Sequence, residues 1–212
     1  MKILNLYCGI GGNRKLWGGE HDITAVELNP KIAKIYKDFF PNDNVIVGDA
    51  HDYLLKNFKK FDFIWASPPC PTHGKLQLCQ YFQGRKMNYP DMKIYQEIIL
   101  LKHCYTGNWI IENVKPYYKA LIEPSFVIQR HFFWSNKFIL TNDLNLGMFS
   151  EIKDKNKSME EKYKFDLSLY KSFGYKFIQK VLRNCVIPEL GKYVFEKING
   201  EIIYDNDNNN KR

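Results

Sequence analysis

The sequence predicts an α/β fold built on a mostly parallel central sheet, and three observations predict it. Short apolar runs alternate with helical segments over the first 115 residues, as in chains of strand–helix–strand units. A glycine-rich turn follows the first apolar run, where many α/β sheets bind a ligand. The composition, 45% hydrophobic and 25% charged in 212 residues, is globular and excludes wholesale disorder and fibrous repeats.

The predicted strands and helices follow this alternation in order. Apolar runs of strand character lie at 3–7, 23–27, 45–47, 61–66 and 109–112. Helices are expected between them, at 30–40 with proline in the first turn, near 51–57, and at 91–104. Right-handed crossovers of this kind make the strands parallel, so their carboxyl ends share one edge of the sheet.

The rest of the chain is less regular. Segment 71–90 is long for a loop inside a compact domain, and such loops are usually functional or disordered. Further features are expected later in the chain: strands at 131–134 and 137–140, a charged and exposed run at 151–164, a helix at 188–197 and a disordered tail at 205–212.

Charge and cysteine usage limit the classes of function. Lys and Arg number 31 against 23 Asp and Glu, a net +8 that suits either a polyanion partner or a solvated lysine-rich surface. The 5 cysteines are scattered without a C-x-x-C pair, which argues against a disulfide framework and a metal site. No apolar run approaches the roughly 20 residues that span a bilayer, and glycines interrupt any signal-peptide core. We therefore expect a cytoplasmic protein with free thiols and no membrane partner.

The turn at 7–12 and two strand-end carboxylates form a candidate nucleoside pocket. Glycines there let a ligand approach the backbone, although a plain tight turn explains them equally well. Glu27 ends the second predicted strand, where a carboxylate can accept from both hydroxyls of a ribose. Arg14 stands where a dinucleotide fingerprint needs glycine, so a single-nucleoside cofactor fits better than NAD. Asp49, after the third strand, is placed either to accept from an adenine amino group or to cap the next helix.

Cys70 is the most specific candidate for chemistry. It lies in Ala66-Ser67-Pro68-Pro69-Cys70-Pro71, directly after a predicted strand, and the prolines stiffen the chain around it. Such flanks favour a nucleophile over the buried core position that a single cysteine more often occupies. Glu112 closes the fifth strand and lies beside Cys70 if the fourth and fifth strands are neighbours; otherwise it is a solvated carboxylate at a strand end.

Taken together, these motifs resemble those of the cytosine-5 DNA methyltransferases. Residues 5–12 resemble the opening glycine motif of that family, 67–70 its Pro-Pro-Cys motif, and 112–114 its Glu-Asn-Val motif. Residues 183–186, Arg-Asn-Cys-Val, are similar to its late Gly-Asn-x-Val segment. Order and spacing agree across 1–140, and the short layout is similar to the small phage or virus-encoded members.

The chain also departs from the family pattern. Asn5 stands where the family usually has Asp, and Pro71-Thr72-His73-Gly74 replaces the Gln-x-Phe-Ser continuation. The Gln-x-Arg-x-Arg motif is reduced to 129–132, in which Arg130 is the single arginine. The Arg-Leu-x-Gly-Phe-Pro motif is not recognisable, and the target-recognition region is short.

The resemblance implies a Rossmann-like S-adenosylmethionine-dependent methyltransferase fold with a reduced target-recognition lobe. It implies a cofactor-binding and catalytic core at 1–134, a target-recognition region at 135–182 and a segment at 183–204 that returns to the core. The implied reaction is methylation of carbon 5 of a flipped-out cytosine in double-stranded DNA by a monomer. The same chemistry on RNA of tRNA type, or a nucleic-acid-binding homologue that has lost catalysis, are the alternatives.

The implied roles of single residues complete these expectations. Cys70 is the nucleophile, Glu112 stabilises the adduct through the ring, and Arg130 holds the cytosine carbonyl oxygen or a phosphate. Lys75, Arg85 and Lys86 meet phosphates as 71–90 closes on the substrate. S-adenosylmethionine is expected to contact Tyr7, Cys8, Gly9, Ile10, Gly11, Gly12, Glu27, Leu28, Asp49, Ala50, Pro68, Asn184 and Val186.

Overall fold

A single sheet organises the fold in the computed structural model, which describes residues 1–139 and 155–200. The strands are β1 Lys2–Leu6, β2 Asp22–Glu27, β3 Asn44–Val47, β4 Phe63–Ala66, β5 Asn108–Val114, β6 Phe126–Ile128 and β7 His131–Ser135. Their order in the sheet is β3-β2-β1-β4-β5-β7-β6. Strands β1 to β5 run parallel, and β7 lies antiparallel between β5 and β6. The predicted α/β fold with a mostly parallel sheet is confirmed.

Helices cover both faces of this sheet. They are α1 Pro30–Phe39, α2 Ala50–Asn57, α3 Leu76–Phe82, α4 Lys93–Cys104, α5 Lys155–Tyr163, α6 Tyr175–Arg183 and α7 Pro188–Asn199. Short 3-10 helices lie at Asn13–Leu16, Phe58–Lys60 and Ser168–Phe173. None of the helices within 1–139 and 155–200 is long and apolar enough to cross a bilayer.

The two cores follow from the period-2 alternation of the strands. In β1, Leu4 and Leu6 face the cluster under α2 and α4, whereas Ile3 faces the cluster under α7. On the α7 side, the rings of Trp17 and Phe195 stack at 4.8 Å between centroids. The predicted C-terminal helix is therefore confirmed, and it closes one face of the sheet.

The strand order brings the candidate site together. The order reverses between β1 and β4, and ligands of open α/β sheets bind at the carboxyl ends of strands beside such a reversal. In the parallel pair of β4 and β5, Ala66 is level with Ile111. Ser67 and Glu112 therefore come next on adjacent strands, as the sequence predicted for neighbouring fourth and fifth strands.

Two expectations on secondary structure are wrong, and one strand was not predicted. Residues 137–139 form no strand, because Phe138 is 71% exposed and β7 already ends at Ser135; Leu140 lies outside the described residues. The edge strand β6 was not predicted, since three residues are too few to show an alternating pattern. Segment 71–90 is not an irregular loop throughout, because it contains α3.

The charged run at 151–164 is only partly exposed, which corrects a further expectation. Met159 and Tyr163 of α5 are buried at 7% and 1% exposure, in a cluster that includes Ile10 after β1 and Leu182 of the unpredicted helix α6. Their i, i+4 spacing gives the helix one apolar face, while the charged side chains take the other. Residues 151–154 and the tail at 205–212 lie outside the described part of the chain.

Candidate active site

Cys70 lies on a turn that is fastened to both neighbouring strands. The Ser67 backbone N–H donates to the Leu6 carbonyl at 3.2 Å, and the Asn113 amide donates to the Pro68 carbonyl at 2.9 Å. Beyond the prolines, the Cys70 carbonyl accepts from the backbone N–H of His73 at 3.0 Å. The thiol is thus held half-buried at the carboxyl edge of the sheet and outside regular structure.

Glu112 is a buried carboxyl in β5, 7% exposed, so it is not a solvated strand end. Ser67 hydrogen-bonds its side chain, and Trp65 in turn donates from Nε1 to Ser67 Oγ at 2.8 Å. His131 Nε2 lies 3.8 Å from Glu112 Oε1. Burial dominates over these contacts and over the charge of Arg130, and it raises the pKa of Glu112 to about 7.

Arg130 completes the group of expected catalytic residues. It lies exposed in the turn between β6 and β7, whose backbone is tied to the end of β5 by the Lys115 N–H at 2.8 Å. Burial and the charge of Glu112 raise the pKa of Cys70, whereas the Arg130 charge lowers it. The charges of Glu112 and Arg130 thus both act on the Cys70 thiol, and the three side chains form one electrostatic site.

His131 belongs to this site although sequence reasoning did not single it out. Burial, with a smaller effect of Arg130, lowers the pKa of His131 to about 4, so its imidazole is neutral at pH 7. A neutral ring beside Glu112 adds no charge that would draw the proton off that carboxyl. The position next to Arg130 in the reduced motif was the available signal.

The glycine turn leaves open space where a ligand is expected. Gly9 has φ +55°, and no described atom lies within 4 Å of the place where a Cβ would stand. Gly12 is closed on its far side, because a Cβ there would lie 2.2 Å from the Val186 carbonyl oxygen. The 183–186 segment therefore does return to the glycine turn, and Asn184 beside it is exposed.

The two strand-end carboxylates border this space. Glu27 Oε2 accepts from the Gly9 N–H at 3.2 Å, and Oε1 accepts from the Asn29 N–H at 2.9 Å. Asp49 caps α2 by accepting from the Asp52 N–H at 3.1 Å, and Lys93 Nζ lies 3.4 Å from its second oxygen. The capping interpretation of Asp49 is thus observed, and it leaves the adenine contact as a prediction.

The other expected cofactor residues differ in exposure. Leu28 is 67% exposed beside Glu27, and Tyr7, Gly9 and Pro68 are partly exposed. The remaining members of the turn and the start of α2 are buried, so backbone groups are what they offer a ligand: Cys8, Ile10, Gly11, Gly12 and Ala50.

A buried network behind the glycine turn was missed by sequence reasoning. Tyr7 has a positive φ of 54° and donates its hydroxyl to Glu97 Oε1 at 2.5 Å. His51 Nδ1 lies 2.9 Å from the same oxygen, and Glu97 is fully buried. Burial raises the pKa of Glu97. A Glu within the apolar run of α4 was the signal, but its partners are distant in sequence.

Exposed basic side chains lie on the segment that follows Cys70. Lys75, Arg85 and Lys86 are exposed on 71–90, as expected for phosphate contacts. All 5 cysteines are free. Within 1–139 and 155–200, no group of three or more His, Cys, Asp or Glu side chains is arranged to hold a metal ion.

Comparison with known proteins identifies relatives of this arrangement. The family model described as C-5 cytosine-specific DNA methylase matches residues 1–117. The Type II methyltransferase M1.HgaI of Avibacterium volantium is 32% identical over 102 residues, covering 43% of this chain and 28% of the relative. The tRNA (cytosine(38)-C(5))-methyltransferase of Mus musculus is 30% identical over 84 residues, 37% of this chain and 20% of the relative.

Spodoptera frugiperda supplies a third relative and also a matching crystal structure. The tRNA (cytosine(38)-C(5))-methyltransferase of Spodoptera frugiperda is 29% identical over 136 residues, 59% of this chain and 39% of the relative. A crystal structure of Spodoptera frugiperda DNMT2 matches with a TM-score of 0.39 and 27% identity, covering 57% of this chain and 37% of that one. The chain thus spans between 20% and 39% of the length of these curated relatives.

Proposed function

Because the chain belongs to the C-5 cytosine-specific DNA methylase family, we propose that it transfers a methyl group from S-adenosylmethionine to carbon 5 of cytosine in DNA. One observation carries the proposal. A half-buried thiol, Cys70, and a buried carboxyl, Glu112, occupy adjacent strand ends under the charge of Arg130. Addition to an aromatic base requires such a nucleophile with a proton donor next to it.

Cys70 begins the chemistry. Carbon 5 of cytosine is a poor nucleophile, and thiolate addition at carbon 6 breaks the ring conjugation and makes carbon 5 electron-rich. The charge of Arg130 favours the thiolate, whereas burial and ionised Glu112 oppose it. The thiolate therefore forms most readily while Glu112 is protonated. Elimination of Cys70 and loss of the carbon 5 proton restore the ring at the end.

Glu112 acts on the opposite side of the same ring. Because burial raises its pKa to about 7, this carboxyl holds a proton at a higher pH than an exposed glutamate does. A protonated Glu112 donates to ring nitrogen 3 and stabilises the charge that thiolate addition places on the ring. The hydrogen bond from Ser67 holds the carboxyl in position for that contact, and neutral His131 lies 3.8 Å from it.

The residues around the glycine turn fit S-adenosylmethionine. The open space at Gly9 admits a ligand next to the backbone, and Glu27, a carboxylate with several acceptor sites, retains capacity for ribose hydroxyls. Exposed Leu28 offers an apolar surface for the adenine, and Asp49 a carboxylate for its amino group. When bound there, this cofactor supplies an electrophilic methyl group.

Methylation of RNA is the second candidate function. Two of the relatives are named as tRNA (cytosine(38)-C(5))-methyltransferases. Incorporation of labelled methyl from S-adenosylmethionine separates the candidates. We expect label in cytosine-containing DNA and little in a tRNA pool, and no label in either with Cys70→Ser.

The control variant is Cys79→Ser, since that thiol is exposed on α3 and takes no part in the reaction; it should keep wild-type activity. Label in tRNA but not in DNA would contradict DNA methylation and support RNA methylation. Methyl transfer by Cys70→Ser at the wild-type rate would contradict both.

A further inference from the structure

Segment 71–90 exposes aromatic rings beside cationic side chains. Tyr81, Phe82 and Tyr89 are 58%, 81% and 89% exposed. Among the residues 71–90, the sequence has Lys75, Arg85 and Lys86 but neither Asp nor Glu. Large exposed rings are unusual on a soluble surface, and their combination with positive charge alone fits a partner that has both flat apolar faces and negative charge.

Hydrogen bonds hold the two ends of the segment together. Gln77 is 3% exposed; its amide donates to the Pro71 carbonyl at 2.6 Å and accepts from the Asn88 N–H at 3.2 Å. One buried side chain thus joins the beginning of the segment to its end. Tyr81 and Phe82 lie between these anchors, with their ring centroids 5.9 Å apart.

The end of α3 brings positive charge next to the rings. Gly84 adopts φ +75° and donates to the Tyr81 carbonyl at 2.9 Å, and Arg85 N–H donates to the Gln80 carbonyl at 3.0 Å. This pair of bonds is a Schellman motif, which reverses the chain direction after a helix. Arg85 and Lys86 therefore follow the aromatic pair directly and stay beside it.

The rings lie on the side of the sheet that carries the nucleophile. Pro71 follows Cys70, and the segment is tied to the loop after β5 because Tyr117 N–H donates to the His73 carbonyl at 3.0 Å. His73 Nδ1 also lies 2.6 Å from the Tyr118 hydroxyl. The segment that carries the rings is therefore attached at its start to the carboxyl edge of the sheet, where Cys70 lies.

We propose that Tyr81, Phe82 and Tyr89 stack on unpaired bases next to the target cytosine, so that a single-stranded or looped segment is bound in preference to an intact duplex. The inference rests on the proposed function, whose site it deepens, and it departs from the sequence-based expectation of a double-stranded DNA partner. Base faces are covered by their neighbours in a duplex, whereas every unpaired base offers one to an aromatic ring. The adjacent cations bind the phosphates of the same strand.

Equilibrium binding without cofactor tests this directly. The probes are a fluorescein-labelled cytosine-containing DNA strand and the duplex of the same sequence, measured by anisotropy at one salt concentration. We expect the wild type to bind the single strand at least about tenfold more tightly. Phe82→Ala and Tyr81→Ala should each weaken single-strand binding on the order of tenfold, with a smaller effect on the duplex, and Phe82→Trp should retain it.

Two matched controls isolate the aromatic contribution. Phe138→Ala removes a ring that is 71% exposed beyond the amino end of β5, far from Cys70, and should leave both affinities unchanged. Lys75→Ala should weaken the binding of the single strand and of the duplex by the same factor. It should also reduce the slope of log affinity against log salt concentration by about 1.

Equal affinity of the wild type for the single strand and the duplex would overturn the inference. An equal loss of affinity for the two probes in Phe82→Ala would also overturn it. A wild-type dimer that Phe82→Ala converts to a monomer, without change in oligonucleotide binding, would assign the surface to a second copy of the chain. Because binding is read without methyl transfer, a failure here is distinct from a failure of labelled methyl to reach cytosine.

Discussion

Glu112→Gln tests whether burial holds the site carboxyl protonated near neutral pH. The pKa of Glu112 is raised from 4.5 to about 7, which corresponds to about 3 kcal/mol at about 1.4 kcal/mol per pH unit. Below about pH 4.5, the carboxyl is protonated in the folded and the unfolded chain alike. As the pH rises, the unfolded chain ionises first, so the free energy of unfolding falls until the folded carboxyl also ionises near pH 7.

A neutral amide removes this pH dependence. The free energy of unfolding of Glu112→Gln, measured by urea denaturation, should rise relative to wild type by about 2–3 kcal/mol between about pH 5 and pH 8. Taking the difference between the two proteins cancels the other titrating groups, His131 included. A difference that stays constant over this range would show that Glu112 ionises normally and would refute its role as the proton donor.

Further changes test the cofactor space and the network behind it. Glu27→Ala should weaken S-adenosylmethionine binding by about 1.5–3 kcal/mol in calorimetry, because a charge-assisted hydrogen bond is lost; unchanged affinity would reject the pocket. Asp49→Ala should weaken binding similarly and also lower the free energy of unfolding by about 1 kcal/mol, since it caps α2; an effect on unfolding alone would leave Asp49 a cap only. Tyr7→Phe should lower the free energy of unfolding in urea by about 1–3 kcal/mol, because the buried Glu97 carboxyl loses the hydrogen bond from the Tyr7 hydroxyl. An unchanged free energy of unfolding would show that this hydrogen bond does not stabilise the fold.

The elements that the sequence predicted correctly are those with a local signal. The runs that became β1 to β5 are short, mostly apolar stretches separated by glycine, proline or polar positions, and that pattern needs no knowledge of a partner. Cys70 and Glu112 were placed together because both end such runs in neighbouring parallel strands. The pattern therefore located the candidate site before any contact was known.

What the sequence did not predict depends on contacts between distant residues. Glu97 looks like a solvated helix charge, but it is buried against Tyr7 and His51, 90 and 46 positions away. Met159 and Tyr163 look isolated in a charged run until α6 covers them. Asp49 is a different case, because its position in the sequence is compatible with both a helix cap and a cofactor contact. The sequence alone does not separate the two roles.

Trapping on 5-fluorocytosine tests the central claim that Cys70 adds to the cytosine ring. Fluorine at carbon 5 blocks the final loss of a proton, so an active nucleophile stays bound to the base after methyl transfer. With S-adenosylmethionine present, we expect a covalent complex whose linkage maps to Cys70 by mass spectrometry, that Cys79→Ser retains and that Cys70→Ser lacks. Methyl transfer to normal cytosine without such a complex, or a linkage at another residue, would contradict the account.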